Sequence, residues 1–260
     1  MSFHSGFIGL FGLPNAGKST LLNGALQQKI SIVSNKPQTT RNRILGVVNA
    51  EGLQVALVDT PGIHRARGAM HSSMVQAAKE AIPEMDAICW VVDASNLQKK
   101  GKVHSKESIF AKGLLYMTNL FREEENVIVI LNKIDLFPKN LLFPMLQMFQ
   151  EELPNAKVIP ISALKEDGID SLLDVFKTVL PEMPPMFPDD MLTDASTRFL
   201  VAERIREKVF ILTNQEVPYG VAVEIQGFKD KGKKIEIYAR IWVEKESQKG
   251  IVIGKRGAKT

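Results

Sequence analysis

Residues 12–19 read Gly-Leu-Pro-Asn-Ala-Gly-Lys-Ser, and they indicate the fold of the chain around them. It fits the phosphate-loop pattern G-x-x-x-x-G-K-[S/T]. The apolar run 7–11 before it is typical of a buried strand, and a helical pattern over 18–28 follows. Glycines let backbone N–H groups turn inward around an anion, and a helix N-terminus adds further unpaired N–H groups. The sequence therefore predicts a nucleotide phosphate site on a strand–loop–helix unit.

Two side chains of this loop have expected roles. Lys18 is expected to meet the β- and γ-phosphates, and Ser19 to ligate Mg²⁺. We assign to the nucleotide Gly12, Leu13, Pro14, Asn15, Ala16, Gly17, Lys18, Ser19 and Thr20. Chance is the competing explanation, and average residue usage produces the pattern in roughly one chain in a hundred of this length.

Further apolar runs predict the rest of a sheet. They cover residues 53–58, 87–92, 127–131 and 157–161, with helical patterns between them such as 169–180. Continuous apolar strands alternating with helices predict an α/β domain whose mostly parallel sheet is covered on both faces. Ligands of such sheets bind beyond the carboxyl ends of the strands, and the polar motifs of this chain lie there.

Residues 132–135 read NKID and determine the expected base. Guanine offers N–H donors at N1 and N2 to one carboxylate, whereas adenine has an acceptor at N1, so a buried Asp135 would be left unpaired against ATP. A site built on such pairing discriminates by roughly 10⁴–10⁵. Asn132 would meet the other edge of guanine, the Lys133 stem would cover its face, and the Ala163 N–H would donate to O6. The predicted base site comprises Asn132, Lys133, Asp135, Ser162 and Ala163.

A third motif, Asp-Thr-Pro-Gly at 59–62, ends the strand predicted at 53–58. Asp59 would hold Mg²⁺ through a water, and the Gly62 N–H would contact the γ-phosphate. Loss of that phosphate releases the contact, which makes the following segment a switch. The motif and the next position add to the nucleotide site Asp59, Thr60, Pro61, Gly62 and Ile63.

The pattern changes after residue 180. Four prolines fall within residues 181–188, which excludes a helix or a central strand there. An amphipathic helix is predicted over 195–213, then two alternating strands over 219–228 and 234–243. The predicted organisation is a first domain at 1–180, a linker at 181–192 and a second, α+β domain at 193–260.

The charge distribution and the cysteine content limit the expected partners and the cellular compartment. Residues 191–260 carry 14 Lys/Arg against 9 Asp/Glu, and the last twelve residues carry four basic side chains and no acidic one. A basic end suggests a polyanion partner, although a merely solvated tail is an equal alternative. The single cysteine, Cys89, excludes a disulfide within the chain and fits a reducing compartment. With no signal-peptide pattern and no apolar run near the ~20 residues of a membrane span, we expect a cytoplasmic protein.

With these motifs in order, the chain resembles the Era family in the TrmE–Era–EngA class of P-loop GTPases. The resemblance covers essentially the whole chain, and its strings are GLPNAGKS, KPQTTRNRILG, DTPGIH, NKID, ISAL and IVIGKRGAKT. It implies GTP and GDP as ligands, Mg²⁺ as cofactor and GTP hydrolysis as the activity. It also implies a first switch at 38–42 whose Gln38, Thr39 and Thr40 approach the nucleotide, with Thr40 preferred to Thr39 as the second protein ligand of Mg²⁺.

Two positions bear on the expected mechanism. Ile63 occupies the place where Ras-like GTPases have a glutamine, and isoleucine cannot orient water. Asn15 resembles the asparagine that supports a K⁺ ion in this class, although a loop-shaping role is the alternative. The resemblance therefore implies slow intrinsic hydrolysis that K⁺ accelerates over Na⁺, with Lys18, Asn15 and Gly62 as the catalytic set.

Residues 254–257, Gly-Lys-Arg-Gly, fit the G-x-x-G loop of KH domains, which clamps about four nucleotides. Alone this pattern carries no weight, because it is expected about once by chance in this chain. Its context resembles the type II KH arrangement of the same family. That resemblance implies RNA binding by Gly254, Lys255, Arg256 and Gly257, with the 3′ region of 16S rRNA as target. The family pattern would continue with another helix and strand beyond Thr260, so the KH domain is expected to be incomplete, either in nature or, preferably, because the chain is truncated.

The resulting function is GTP binding and hydrolysis linked to 16S rRNA binding, small (30S) subunit assembly and rRNA processing. The resemblance also implies peripheral association with the cytoplasmic face of the inner membrane. We expect the protein to be a monomer. One alternative is a tRNA-modification GTPase, whose added helical domain has no room here. Another is a nucleotide-dependent RNA scaffold with incidental hydrolysis, which Ile63 favours. The segment 97–125, basic near its start, is predicted to be an enlarged loop without an assigned role.

Overall fold

The computed structural model describes residues 2–34, 36, 42–60, 80–109, 114–214, 216–232 and 234–254. The chain divides into two compact units. The first unit comprises residues 1–29 and 40–194, and the second comprises residues 30–39 and 195–260. We number helices and strands in chain order among the described residues.

A six-stranded sheet forms the centre of the first unit. Its strands are β1 (His4–Phe11), β2 (Ile44–Ala50), β3 (Leu53–Asp59), β4 (Ala87–Asp93), β7 (Val127–Asn132) and β8 (Lys157–Pro160). The order is β2-β3-β1-β4-β7-β8. All pairings are parallel except that of β2 with β3. The prediction of a mostly parallel α/β sheet is therefore confirmed.

The edge strand β2 is absent from the sequence prediction. It pairs antiparallel with β3, with Ala50 opposite Leu53 across a tight turn. Gly52 in that turn has φ +68, a left-handed conformation that glycine adopts without strain. An apolar run, a glycine turn and a second apolar run are a hairpin signal, and this signal was available at residues 44–58.

Helices cover the sheet. They are α1 (Lys18–Leu26), α3 (Leu115–Phe121), α4 (Leu142–Glu152) and α5 (Ile169–Val179). On one face Trp90 packs against Phe121 and Phe149, with ring centroids 5.9 and 5.5 Å apart, and all three are buried. Cys89 is fully buried as predicted, and burial raises the pKa of its thiol, so the thiolate is disfavoured.

The segment 97–125 has more structure than an enlarged loop. It begins with a short hairpin of β5 (Gln98–Lys99) and β6 (Lys102–Val103), followed by the one-turn helix α2 (Lys106–Ile109) and then α3. Ile109, Met117 and Phe121 are buried in the core around Trp90. The prediction of a loop is wrong because these apolar side chains cover one face of the sheet.

Residues 181–194, which we call the strap, run along the first unit. The fully buried Gln54 of β3 donates to the Phe187 carbonyl at 2.9 Å, and its Oε1 accepts from the Met186 and Phe187 N–H groups at 2.7 and 2.8 Å. The Val47 N–H donates to the Leu192 carbonyl at 2.9 Å. Proline removes N–H donors from this stretch, so the Gln54 side chain of β3 and the Val47 N–H of the edge strand β2 complete its pairing.

The second unit is an α+β arrangement. It contains α6 (Thr197–Leu212), β9 (Ala222–Asp230), β10 (Ile235–Trp242) and α7 (Glu246–Ile253). The two strands form an antiparallel pair with an irregularity next to Tyr238. Its core contains Val209, Val217, Val221 and Val252, with Val223, Ile241 and Val243 packed against them.

Among the described residues, none of the helices is both long and apolar enough to cross a membrane.

Candidate nucleotide site

Two glycines of the phosphate loop are required by their surroundings. Gly12 has φ +150, and a Cβ there would lie 2.3 Å from the Val91 carbonyl oxygen. Gly17 has φ +99, and its Cβ would lie 2.2 Å from Asn132 Nδ2. The loop therefore packs against the ends of β4 and β7 so closely that neither position accepts a side chain.

Lys18 begins α1 and is buried, with 6% of its surface exposed. Its Nζ donates to the carbonyl oxygens of Gly12 and Leu13 at 3.1 and 3.2 Å. Burial lowers the pKa of this ammonium to about 8, while the nearby charge of Asp59 opposes that shift. The loop thus holds a partly desolvated cation on its own carbonyl groups, where phosphate oxygens would be stronger partners.

Ser19 and Asp59 form the oxygen cluster predicted to hold a metal. The Ser19 hydroxyl donates to Asp59 Oδ2 at 2.6 Å, and Asp59 is fully buried at the end of β3. A hydroxyl and a carboxylate are hard oxygen ligands of the kind that Mg²⁺ takes in nucleotide sites, so the residues fit this ion. The hydroxyl of the next residue, Thr60, instead donates to the Leu10 carbonyl at 2.7 Å and ties β3 to β1.

Asn132 joins the phosphate loop to the base site. Its Nδ2 donates to the Ala16 carbonyl at 2.8 Å, and its Oδ1 accepts from the N–H groups of Lys133 and Ala163 at 2.8 and 2.9 Å. Only 2% of Asn132 is exposed. The side chain therefore connects three loops, and the second hydrogen of Nδ2 is the group that would contact a base. The Ala163 N–H already donates to Asn132 Oδ1. To bond guanine O6 as predicted, this N–H must either donate to both acceptors or leave Asn132.

Asp135 is exposed rather than buried, so the prediction of a buried carboxylate is wrong. Its Oδ1 accepts from the Ser162 hydroxyl at 2.6 Å, and Ser162 itself is buried. That bond fixes the carboxylate, which has about four acceptor sites and retains capacity for two base donors. The base itself would have to cover Asp135 for the expected discrimination against adenine.

Sequence reasoning missed Asp93, a charged residue at this site. Its Oδ2 is paired with the Nζ of Lys133 at 2.5 Å, and Lys133 itself has φ +68. Asp93 ends β4, opposite Asn132 in the register of β4 and β7. It follows an apolar strand as the other polar motifs do, and this position is the signal that could have identified it. The pair holds the Lys133 stem in place for the predicted contact with a base.

Asn15 is exposed and has φ +62. Asparagine tolerates the left-handed region better than most residues, so this geometry favours the loop-shaping alternative. It leaves the K⁺ hypothesis untested.

Several predicted site residues lie outside the described residues. In the nucleotide site they are Gln38, Thr39, Thr40, Pro61, Gly62 and Ile63, and in the G-x-x-G loop they are Lys255, Arg256 and Gly257. The described part of that loop is Gly254, which ends α7 with φ +76 and donates its N–H to the Gly250 carbonyl at 3.0 Å.

A second feature missed from the sequence is the packing of Val33 and Lys36 within the second unit. Lys36 Nζ donates to the carbonyls of Phe210, at 2.6 Å, and Thr213 at the end of α6. The Val33 N–H donates to the buried Glu207 at 3.1 Å. A cation on the last carbonyls of a helix is stabilised by the helix dipole. The chain just before the predicted first switch is therefore anchored to α6.

Comparison with protein families gives two matches. A family described as 50S ribosome-binding GTPase matches residues 7–133, and one described as KH domain matches residues 216–260. The KH match supports the predicted α+β second domain.

Similar proteins extend over nearly the whole chain. GTPase Era from Geobacter metallireducens is 44% identical over 258 residues, covering 98% of this chain and 83% of the relative. GTPase Era from Syntrophus aciditrophicus is 47% identical over 257 residues, covering 98% of this chain and 80% of the relative.

Two solved structures superpose with TM-scores of 0.83 at 37% identity, and each covers 99% of this chain. One is an Era variant from Aquifex aeolicus bound to GDP·AlF4⁻, of which 85% is covered. The other is Era in complex with MgGDPNP and nucleotides 1506–1542 of 16S ribosomal RNA, of which 84% is covered.

Proposed function

The chain belongs to the Era family of GTPases, and from this premise we propose that it binds and hydrolyses GTP, binds 16S rRNA through its KH domain and acts in 30S subunit assembly and rRNA processing. The observation that carries the nucleotide assignment is the Asn132 side chain. Its bonds to Ala16, Lys133 and Ala163 join the phosphate loop to the predicted base site. The residues predicted to bind phosphate and those predicted to bind guanine thus lie together at the carboxyl edge of the sheet, where α/β folds bind ligands.

The guanine assignment is tested by the variant Asp135→Asn. We expect binding to move from guanine toward xanthine nucleotides, because an amide donates where the carboxylate accepted. Asp174→Asn, in the exposed part of α5, is the matched control and should keep the guanine preference. Affinities for fluorescent GDP and XDP measure both, and unchanged GDP preference in Asp135→Asn would overturn the assignment.

Different residues of the chain would bind the phosphates and the metal during hydrolysis. Lys18 would exchange its carbonyl partners for β- and γ-phosphate oxygens, and Ser19 and Asp59 would hold the metal with Thr40. Bound Mg²⁺ would supply positive charge against the phosphates. Because Ile63 cannot orient water, catalysis rests on phosphate positioning and charge, which fits a slow intrinsic rate.

K⁺ stimulation is tested by the variant Asn15→Gly. Glycine keeps the left-handed backbone at this position but removes the side chain. Wild-type protein should hydrolyse GTP faster in KCl than in NaCl, and the variant should lose that difference while still binding nucleotide. Equal acceleration in the variant would assign Asn15 to loop shape alone.

Single-turnover rates with RNA present also separate an enzyme from a scaffold whose hydrolysis is incidental.

The RNA proposal rests on the KH match at 216–260 and on the RNA-bound Era structure. The variant with Lys255→Asp and Arg256→Asp should weaken binding to the 3′ region of 16S rRNA, since it reverses two charges at the phosphate clamp. Lys208→Asp, an exposed position on α6, is the control. Equal RNA affinity in both variants would remove the G-x-x-G loop from the interface.

Nucleotide state and RNA binding are coupled in this proposal. The contacts of Val33 and Lys36 with α6 support the idea, because the predicted switch at 38–42 follows these residues closely in the chain. We expect RNA affinity to differ between GDP and a non-hydrolysable GTP analogue by about fivefold or more. Lys36→Met should reduce that ratio and Lys208→Met should not, and a ratio of one in wild-type protein would contradict the coupling.

The place of action in this proposal is the cytoplasm, with the protein monomeric and peripherally associated with the inner membrane. Sedimentation velocity tests the monomer, and flotation with anionic vesicles tests the membrane contact. Sedimentation as a dimer, or no flotation, would overturn the corresponding part.

A further inference from the structure

The hairpin of β9 and β10 has two faces of different chemistry. On the inner face, Val223 and Ile241 pack against the valine core of the second unit. Side chains alternate along a strand, so Tyr238, Arg240 and Trp242 lie on the opposite face. Tyr238 is 55% exposed, Trp242 is 51% exposed, and Arg240 is exposed. Large aromatic groups grouped on an exposed face are typical of interaction sites.

Cationic groups lie against both aromatic rings of this face. Arg240 Cζ is 5.3 Å from the Trp242 ring centroid, and Lys229 Nζ is 6.0 Å from the Tyr238 ring centroid. The Gln226 amide lies within 3.2 Å of the guanidinium nitrogens of Arg240 and accepts from them when its oxygen faces them. Trp242 Nε1 donates to Glu224 at 3.2 Å. Cross-strand partners therefore hold the indole and the guanidinium in place before any ligand arrives.

Tyr238 also has a defined orientation. Its side chain packs against Gly227 of β9, where a Cβ would lie 2.9 Å from Tyr238 Cδ2. The absence of a side chain at Gly227 leaves room for the ring against the sheet, while Tyr238 stays 55% exposed. An exposed ring with a fixed position is suited to stacking on a nucleic-acid base.

The charge of this region suits a phosphate backbone. The face and its turn carry five basic side chains, Lys229, Lys231, Lys233, Lys234 and Arg240, against three acidic ones, Glu224, Asp230 and Glu236. Four of the five basic residues fall within the six residues 229–234. Basic groups beside exposed aromatic rings match the two components of single-stranded nucleic acid, its phosphates and its bases.

We propose that Lys229, Tyr238, Arg240 and Trp242, together called the outer sheet face, stack and bind single-stranded RNA. This surface is additional to the G-x-x-G loop, and the choice of RNA rests on the proposed function. Tyr238 and Trp242 are four residues apart, or about 13 Å along the strand. They therefore provide two separate stacking points, and binding there depends little on sequence because every base has a π-face.

The direct test compares RNA with and without bases. Fluorescence anisotropy would measure binding of the full chain to a labelled oligo(A) RNA and to an abasic ribose-phosphate oligomer of equal length. Tyr238→Ala and Trp242→Ala should each weaken oligo(A) binding about tenfold and leave the abasic oligomer unchanged, since only bases stack. Trp242→Phe should retain most of the affinity. Phe143→Ala is the matched control, because Phe143 is 74% exposed and lies on α4 in the first unit.

Tryptophan fluorescence gives an independent readout. The chain has two tryptophans, Trp90, which is fully buried, and Trp242. Oligo(A) should quench the emission of wild-type protein through Trp242 and leave Trp242→Phe, which reports Trp90, unquenched. Absence of quenching together with equal affinities of the alanine variants would overturn the proposal.

The outcomes separate this inference from the proposed function. If the variant with Lys255→Asp and Arg256→Asp loses RNA binding while Tyr238→Ala and Trp242→Ala do not, the outer sheet face is excluded and the KH assignment stands. If only the aromatic variants lose binding, the outer sheet face stands and the G-x-x-G assignment fails. Quenching of Trp242 by anionic phosphatidylglycerol vesicles but not by oligo(A) would overturn the RNA proposal in favour of a lipid surface.

Discussion

The nucleotide site and the outer sheet face differ in where their polar groups lie. Lys18, Asp59 and Asn132 are 6%, 0% and 2% exposed, whereas Tyr238 and Trp242 are 55% and 51% exposed. Buried polar groups share partners, so the loss of one leaves others unsatisfied at about 1–3 kcal/mol each. Exposed groups keep access to water, and their contributions are small and separate. We therefore expect large, linked effects at the first region and small, independent effects at the second.

The largest effect should come from Gly17→Ala. The new methyl group would displace the Asn132 amide, and the residue would also keep an unfavourable φ of +99. We expect GDP affinity to fall by more than about a hundredfold, because the phosphate loop and base site lose their common link. Titration with a fluorescent GDP analogue measures this.

Gly101→Ala is the matched control for Gly17→Ala. Gly101 has φ +74, and no atom lies within 4 Å of the place where a methyl group would sit, so backbone strain is introduced without a clash. The control should bind GDP like wild type. Similar losses in both variants would show that backbone strain, not the contact with Asn132, determines the effect.

Asn132→Ala tests whether this residue supports the fold or only meets the base. Three hydrogen bonds are lost, and two of the three partners, Ala16 and Ala163, are buried, so the free energy of unfolding without nucleotide should fall by about 3 kcal/mol. Urea denaturation measures the change. Gln147→Ala, which removes an exposed bond to Glu151 within α4, should cost less than about 1 kcal/mol. A base-reading role alone would leave the stability unchanged.

The pH dependence of nucleotide binding should be smaller but distinct. With a pKa of about 8, Lys18 loses its proton above that pH, while phosphate favours the charged form and raises the pKa in the complex. Binding then takes up a proton, and GDP affinity should fall about tenfold from pH 7 to pH 9. Calorimetry in buffers of different ionisation enthalpy measures the uptake, and its absence at pH 8.5 would mean that Lys18 stays charged throughout.

The smallest effect is expected at the outer sheet face. Arg240→Met removes the contact with Trp242, and such exposed cation–π pairs contribute about 0.5–1 kcal/mol. Stability should fall by no more than that, and GDP affinity should stay within about twofold, since an exposed contact leaves no buried group unsatisfied. A loss of several kcal/mol by urea denaturation would instead make this face a structural element and erase the contrast between the two regions.

The sequence could predict local motifs but not contacts between residues far apart in the chain. The motifs at 12–19, 59–62 and 132–135 were readable because phosphate and guanine chemistry require particular residue types directly after strands. The bond between Asn132 and Ala16 could not be predicted from the sequence, because it joins positions 116 residues apart. The anchor between Lys36 and α6 spans 174 residues and has no local pattern. The edge strand β2 was predictable from its hairpin signal, which lay beside the more conspicuous switch motif.

The strap has a consequence for proteolysis. Proteases cut where the backbone opens at low free energy, and a surface stretch with four prolines is a common place to look for such a site. Here Gln54 binds the backbone at Met186 and Phe187, and the edge strand β2 binds it at Leu192. A protease of broad specificity should therefore spare residues 181–194 until the first unit itself opens. The earliest stable fragment would end beyond Asp194, with the strap still attached to its sheet.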